Sequence, residues 1–168
     1  VTYLSENESG DDHRELATLM SLRTYYGDEH RLTLGTVIRE EDEEKRYLFC
    51  LQPPCDSVRL SGLTSFMFCY LSEATGDKVT HIVQATNGHV DLTYKPDIKK
   101  GITLAFRPKR NKRIVVADDD TFIDSEGNRY QWVAQLKPSH AQKAVEEFAR
   151  QLSRVGLTES EWLRLKAK

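Results

Sequence analysis

The chain has 168 residues, of which 39% are hydrophobic and 30% are charged, and its net charge at pH 7 is −2. This length and composition are typical of one folded domain, and no apolar run approaches the roughly 20 residues that cross a bilayer, so a membrane span is excluded. We expect one domain over 1–168, made of an N-terminal helical segment (1–31), a β-rich body (32–136) and C-terminal helices (137–168). Because the chain begins with valine and shows no signal-peptide pattern, we expect it to be a fragment of a longer protein.

A short amphipathic helix is predicted first, within DDHRELATLMSLR, residues 11–23. Leu16, Leu19, Met20 and Leu22 recur on one side of this segment at helical spacing. An apolar side of this kind is expected to pack on the body of the domain.

Eight segments rich in β-branched and aromatic residues follow, separated by short turns, and each predicts a strand. They read RLTLGTVI, RYLFCLQ, TSFMFCYL, VTHIVQAT, HVDLTYK, GITLAFR, RIVVADD and RYQWVAQL. Asn87-Gly88 is the sharpest hairpin signal, because both positions of a type I′ turn need positive φ, and residues 126–128 predict a similar turn. Strands of this length and spacing predict a curved antiparallel sheet or a small β-barrel, with an SH3-like barrel as one variant.

The C-terminal part changes to helical periodicity. Ser139 with Gln142 matches a capping box, and apolar residues then recur at helical spacing until Gly156. Thr158 with Glu161 repeats the box and predicts a second short helix. The predicted fold is therefore α+β, with an N-terminal helix and two C-terminal helices packed on the sheet.

Three cysteines are an odd number in a chain large enough to need no disulfides, which predicts free thiols and a cytoplasmic location. Cys50 and Cys69 lie in apolar runs and are expected in the core, whereas Cys55 follows two prolines and is the one chemical candidate. His81 or His89 could supply a base to it. The chain has no phosphate loop, no dinucleotide motif and no metal-ligand spacing, so it predicts no cofactor and no metal site.

The stretch QPPCDSVR, residues 52–59, has two interpretations. With a histidine beside Cys55, the loop would be a thiol-dependent active site that also contains Asp56, Ser57 and Arg59. Alternatively the prolines end a strand, the Asp56 carboxylate caps backbone amides of the turn, and Arg59 pairs with Asp56 or with an acidic surface. We favour the structural interpretation, because a cysteine with scattered histidines is weak support for catalysis.

Basic residues gather between positions 95 and 113. A basic loop can follow the phosphates of a nucleic acid, and Lys109, Arg110, Lys112 and Arg113 are the candidate contacts for nucleic acid or phosphate. No aromatic residues are interleaved for base stacking, so a solvated connection between strands is the favoured interpretation of this region.

Four stretches carry a resemblance to a known family, and they read ELATLMSLRTYY, LTLGTVI, YLFCLQPPCDSVRL and YQWVAQLKPSHAQKAVEEFARQLSRVGLTESEWLR. From Glu15 to Arg164 the chain resembles the C-terminal part of a bacterial family whose members begin with an atypical response receiver domain. The resemblance implies an output or partner-binding domain in two-component-like signalling, with the upstream receiver domain and a histidine-kinase-like ATPase as partners. It implies a role in stress or phage defence, and it carries over no catalytic residue.

Three functions are therefore compared. A non-catalytic interaction domain is preferred, a nucleic-acid-binding domain that uses the basic 95–113 region is the first alternative, and a thiol-dependent enzyme at Cys55 is the second.

Overall fold

Helices and antiparallel strands build the fold in the computed structural model, which describes residues 10–23, 29–74, 79–85, 88–94 and 101–154. The predicted α+β class is confirmed. The elements are the helices α1 (Gly10–Ser21) and α2 (Pro138–Arg154) and the strands β1 (Thr36–Glu40), β2 (Tyr47–Cys50), β3 (Thr64–Glu73), β4 (His81–Ala85), β5 (Gly88–Thr93), β6 (Gly101–Phe106), β7 (Thr121–Ile123) and β8 (Arg129–Gln135).

The strands form one eight-stranded sheet in the order β4-β5-β3-β2-β1-β8-β7, with β6 also paired to β3. Every strand pair is antiparallel. The sheet is open, so the closed-barrel alternative is wrong. Where β6 approaches the residues after β7, the described backbone shows one bridge, Phe106 with Asp124, and one hydrogen bond from Ser125 N–H to the Ala105 carbonyl at 2.7 Å. A ladder of such bonds, which a closed barrel needs, is not formed there.

The central strands are buried on both faces. Along β2, Leu48 and Cys50 face one core, whereas Tyr47 and Phe49 face the other. The helix-side core lies under α2 and includes Ala141, Ala144 and Phe148 of that helix. The inner core lies on the opposite face of the sheet and is rich in phenylalanine. This double burial explains why the run YLFCL lacks the apolar-polar alternation of a half-exposed strand.

An aromatic cluster fills the inner core. The fully buried ring of Phe106 lies at its centre, with the rings of Phe66, Phe68, Phe122 and Tyr130 at centroid distances of 6.0 to 6.4 Å. The interplanar angles run from 58° to 84°, which are the tilted and edge-to-face arrangements that aromatic pairs prefer. Three strands are thereby joined through one side chain of β6.

A tight turn before β1 brings the backbone against α2. Gly35 has φ +85°, its N–H donates to the Cys50 carbonyl at 3.0 Å, and its carbonyl accepts from Leu136 N–H at 2.9 Å. A Cβ at this position would lie 2.9 Å from the Ala141 Cβ and 3.0 Å from the Gln135 amide nitrogen. Glycine is therefore required here both for its backbone conformation and for its lack of a side chain.

One predicted strand differs from the structure. The segment RIVVADD forms no ladder in the described backbone and makes only the bridges Arg31 with Val116 and Asp118 with Thr121. Asp119 and Asp120 have φ +47° and +58°, so the chain turns there and the strand begins at Thr121 instead. Aspartate tolerates this left-handed conformation better than most residues, which accounts for the turn.

The start of helix α2 differs by one residue from the predicted cap, and one predicted turn is described only in part. Gly88 pairs with Ala85 and is the first residue of β5, and Asn87 of the predicted turn lies outside the described residues. Helix α2 begins at Pro138, before the predicted Ser139 cap, and the Lys137 carbonyl accepts from the amides of residues 140 and 141. Proline is favoured at a first helical position because its missing N–H would be unpaired there.

The predicted final helix at 158–165 lies outside the described residues. Neither α1 nor α2 is long and apolar enough to cross a membrane.

Candidate functional site

The loop QPPCDSVR follows β2 and contains a short 3-10 helix, Pro54–Ser57. Ser57 is the buried residue of that helix, with 2% exposure. Its hydroxyl lies 2.7 Å from the Thr33 hydroxyl and donates to the Pro54 carbonyl at 3.0 Å. The serine therefore ties the loop to the segment before β1, a contact that nothing in the sequence spacing indicates.

Asp56 and Arg59 make their hydrogen bonds through backbone atoms. Asp56 N–H donates to the Pro53 carbonyl at 3.0 Å, and the Arg59 carbonyl accepts from the Arg113 guanidinium at 2.9 Å. Neither the Asp56 carboxylate nor the Arg59 guanidinium makes a hydrogen bond or ion pair within the described ranges. Within the described residues, the Asp56 carboxylate therefore caps no backbone amide of the turn. The Arg59 guanidinium pairs neither with Asp56 nor with another acidic side chain there.

Cys55 is a free, exposed thiol. His81 lies in β4 and His89 in β5, and no described contact brings either ring to the thiol. Cys50 is buried, and burial raises the pKa of its thiol to about 12, so it is protonated at neutral pH. Among the described residues no group of three or more histidine, cysteine, aspartate or glutamate side chains could hold a metal ion.

His81 gives the domain an acid-sensitive position. Burial, together with the charge of His140, lowers its pKa from 6.5 to about 4. Since the unfolded chain protonates this ring near its ordinary pKa, the contribution of the neutral ring to stability is complete above about pH 6.5 and is lost as the pH falls towards 4. We expect urea unfolding to show a loss of about 2 kcal/mol between about pH 7.5 and pH 5 from this group.

The matched control for this expectation is His81→Gln, which carries no charge at either pH. The wild-type chain should lose about 2 kcal/mol more than this variant over the same interval. Equal losses in the two proteins would show that His81 is not the group responsible.

Of the four basic residues predicted to contact nucleic acid or phosphate, Lys109, Lys112 and Arg113 bind other groups of the protein. Lys109 pairs with Asp118 at 3.1 Å, and Lys112 pairs with Glu29. The hydrogen bond from Lys112 is the main cause of the lowered pKa of the Glu29 carboxyl. Arg110 is exposed and makes no hydrogen bond or ion pair with a described residue. The four side chains therefore do not form one continuous cationic track.

The basic region contacts the end of the QPPCDSVR loop beside a cleft. The Arg113 guanidinium donates to the carbonyls of Arg59 and Leu60, at 2.9 and 3.5 Å, and Leu60 N–H donates back to the Arg113 carbonyl at 2.9 Å. The cleft lies between residues 60–63 and 107–113, where β3 begins and β6 ends, and has a volume of about 600 Å³. We call it the basic cleft, and its lining residues are Leu60, Ser61, Gly62, Leu63, Arg107, Pro108, Lys109, Arg110 and Arg113.

A second cleft, of about 490 Å³, contains an ion pair between a buried carboxylate and a half-exposed arginine. Arg46 donates to both carboxylate oxygens of the buried Glu40, at 2.6 and 3.0 Å, and its guanidinium lies 4.7 Å from the centre of the Tyr70 ring. Burial raises the pKa of the Tyr70 hydroxyl. The pair joins the end of β1 to β2 and β3, which is a structural role.

Three of the four apolar side chains on the predicted side of α1 are exposed to solvent. Leu16, Leu19 and Met20 are 54%, 60% and 63% exposed. The helix is held at its C-terminal end, where Leu22 packs against the helix-side core and the Ser21 carbonyl accepts from the Lys137 amide at 2.9 Å. The predicted helix is therefore present, but the expected packing of these three side chains on the body is wrong. We call them the α1 face.

Comparison with protein families, with curated proteins and with solved structures finds no match for this chain.

Proposed function

We propose that this chain is a non-catalytic interaction domain, the output or partner-binding part of a bacterial response-regulator-like signalling protein that works in the cytoplasm. The α1 face is the observation that supports this proposal most. Three large apolar side chains at positions i, i+3 and i+4 are left in water on one helix, in a chain whose mean hydropathy is −0.57. Contiguous exposed apolar surface on a polar protein is typical of an interaction site.

The helix is anchored so that this face stays outward. Arg14 pairs with Asp91 of β5 at 2.8 Å, and the Lys137 ammonium donates to the Leu19 carbonyl at 2.7 Å. A helix fixed in this way presents leucine and methionine at i, i+3 and i+4, the spacing at which one helix enters the groove of another protein. Methionine adapts its shape to a partner surface, which favours its use at such sites.

The partner in this proposal is the receiver domain that the family resemblance places upstream, with the histidine-kinase-like protein as the next component. A receiver docked on α1 would contact the helix whose C-terminal end is joined to the sheet at Leu22. Cys55 is a free, exposed thiol that no described contact joins to a histidine, and the proposal assigns it no catalytic role.

The double variant Leu16→Glu, Met20→Glu should abolish this docking. Burying each side chain in an interface is worth about 1.5 to 3 kcal/mol, so charges at both positions should weaken the complex by at least about 100-fold. Co-purification and titration with the receiver domain and with the kinase-like protein measure the effect. Stability should change by less than about 0.5 kcal/mol, since both positions are exposed.

Ile123→Glu is the matched control, because Ile123 is 53% exposed on β7 and lies outside the α1 face. It should leave both complexes intact. Binding that survives the double variant, or is lost equally in the control, would refute α1 as the docking surface.

A further inference from the structure

The basic cleft is not used by the proposed function, and its lining is unusual in charge. Four of its lining residues, Arg107, Lys109, Arg110 and Arg113, are cationic, and none of the lining residues is acidic. A concave surface with one sign of charge concentrates the electric field and attracts ions of the opposite sign. We propose that the basic cleft binds a phosphate-bearing organic anion of about the size of a nucleotide.

Two of the cations are available to such a ligand. Arg107 and Arg110 are exposed and have no ion pair with a described residue. Lys109 pairs with Asp118, but the two side chains are 52% and 84% exposed, so this pair is weak and can be exchanged for a ligand. Arginine presents a planar fork of donors that matches the oxygens of a phosphate group.

Backbone hydrogen bonds hold the two walls of the cleft in place. Leu60 N–H bonds the Arg113 carbonyl, and Lys109 N–H bonds the Ile114 carbonyl, both at 2.9 Å. Arg59 and Arg113 have φ +59° and +53°, a left-handed conformation that residues other than glycine adopt only where the surrounding contacts require it. A site held in this way loses little conformational entropy on binding.

The shape of the cleft favours a compact ligand over a nucleic acid strand. Its volume of about 600 Å³ falls within the range of small-molecule sites, roughly 300 to 1,000 Å³. Leu60, Leu63 and Pro108 give it apolar walls for a ring or another organic group. Lys112, which a phosphate track would need, pairs with Glu29 and does not line the cleft.

Isothermal titration calorimetry of the 168-residue chain at low salt tests the proposal with three probes: ADP, inorganic pyrophosphate and an oligothymidylate. ADP should bind, and more tightly than pyrophosphate, because only ADP has a group for the apolar walls. Arg107→Ala and Arg110→Ala should each weaken ADP binding about tenfold, through the loss of one charge-assisted hydrogen bond. Lys143→Ala removes the same charge from the exposed face of α2 and should leave the affinity unchanged.

Each opposite result overturns a definite part of the proposal. No ADP binding, or equal affinity of the wild-type chain and both arginine variants, would remove the site. If pyrophosphate bound as tightly as ADP, the proposal that the ligand carries an organic group would be wrong. Tighter binding of the oligothymidylate, with a steep salt dependence, would replace the compact ligand by a nucleic acid. Unchanged urea unfolding of the variants would show that the fold is intact, and none of these results depends on the α1 face.

Discussion

Phe106→Ala should lower the free energy of unfolding by about 4 kcal/mol, because it removes a fully buried ring from the centre of the aromatic cluster. The four rings around it belong to residues on β3, β7 and β8, so the cavity cannot close without moving three strands of the sheet. Urea unfolding monitored by circular dichroism measures the loss, as a lower midpoint with an unchanged dependence on denaturant.

Met67→Ala is the control for this variant. Met67 lies on the same β3–β6 ladder, opposite Thr103, but its side chain is 44% exposed. Its loss should cost less than about 1 kcal/mol, since little apolar surface leaves the core. Similar losses for the two variants would mean that the cluster around Phe106 does not stabilise the fold as its geometry indicates.

Gly35→Ala should destabilise the domain by about 3 kcal/mol, for two reasons that add. An alanine at φ +85° costs about 1 kcal/mol or more in backbone strain. Its Cβ would also lie 2.9 Å from the Ala141 Cβ, which forces helix α2 away from the sheet, and such overpacking costs about 1 to 3 kcal/mol. Thermal and urea unfolding give the sum of the two costs.

Gly127→Ala separates the two costs. Gly127 has φ +92°, but a Cβ there would have no neighbour within 4 Å, so only the backbone strain applies. Its loss should be about 1 kcal/mol. If the two alanine variants were equally stable, close packing of Gly35 against α2 would not contribute to stability.

The sequence predicted the element types well where local chemistry determines them. Seven of the eight predicted strand segments overlap an observed strand, and the helical periodicity marks Ala141, Ala144 and Phe148, which are buried on the inner side of α2. Strand order depends on pairings between distant segments, such as Thr36 with Gln135, and no local pattern encodes them. The open edge of the sheet depends on the path of the chain around Phe106 and Asp124, which is equally non-local.

In the candidate site, too, the sequence indicates single residues but not which of them meet. The sequence marked Arg59 and Arg113 separately, as parts of a proline-rich loop and of a basic loop. Their meeting depends on the pairing of β3 with β6, which brings the start of one strand to the end of the other. The α1 face was recognised as an apolar side, but a sequence pattern does not show whether such a side meets the body or the solvent.

Because both faces of β2 are buried, its sequence also affects how the unfolded chain aggregates. The run YLFCL has high β-propensity, no charge and no proline, which is the composition of segments that aggregate by pairing with copies of themselves. Lys45 and Arg46 precede it, and Pro53 and Pro54 follow it closely. Charges and prolines at the ends of such a run oppose stacking of strands between chains. We therefore expect the prolines of QPPCDSVR to oppose aggregation of the unfolded chain, in addition to ending a strand in the finished fold.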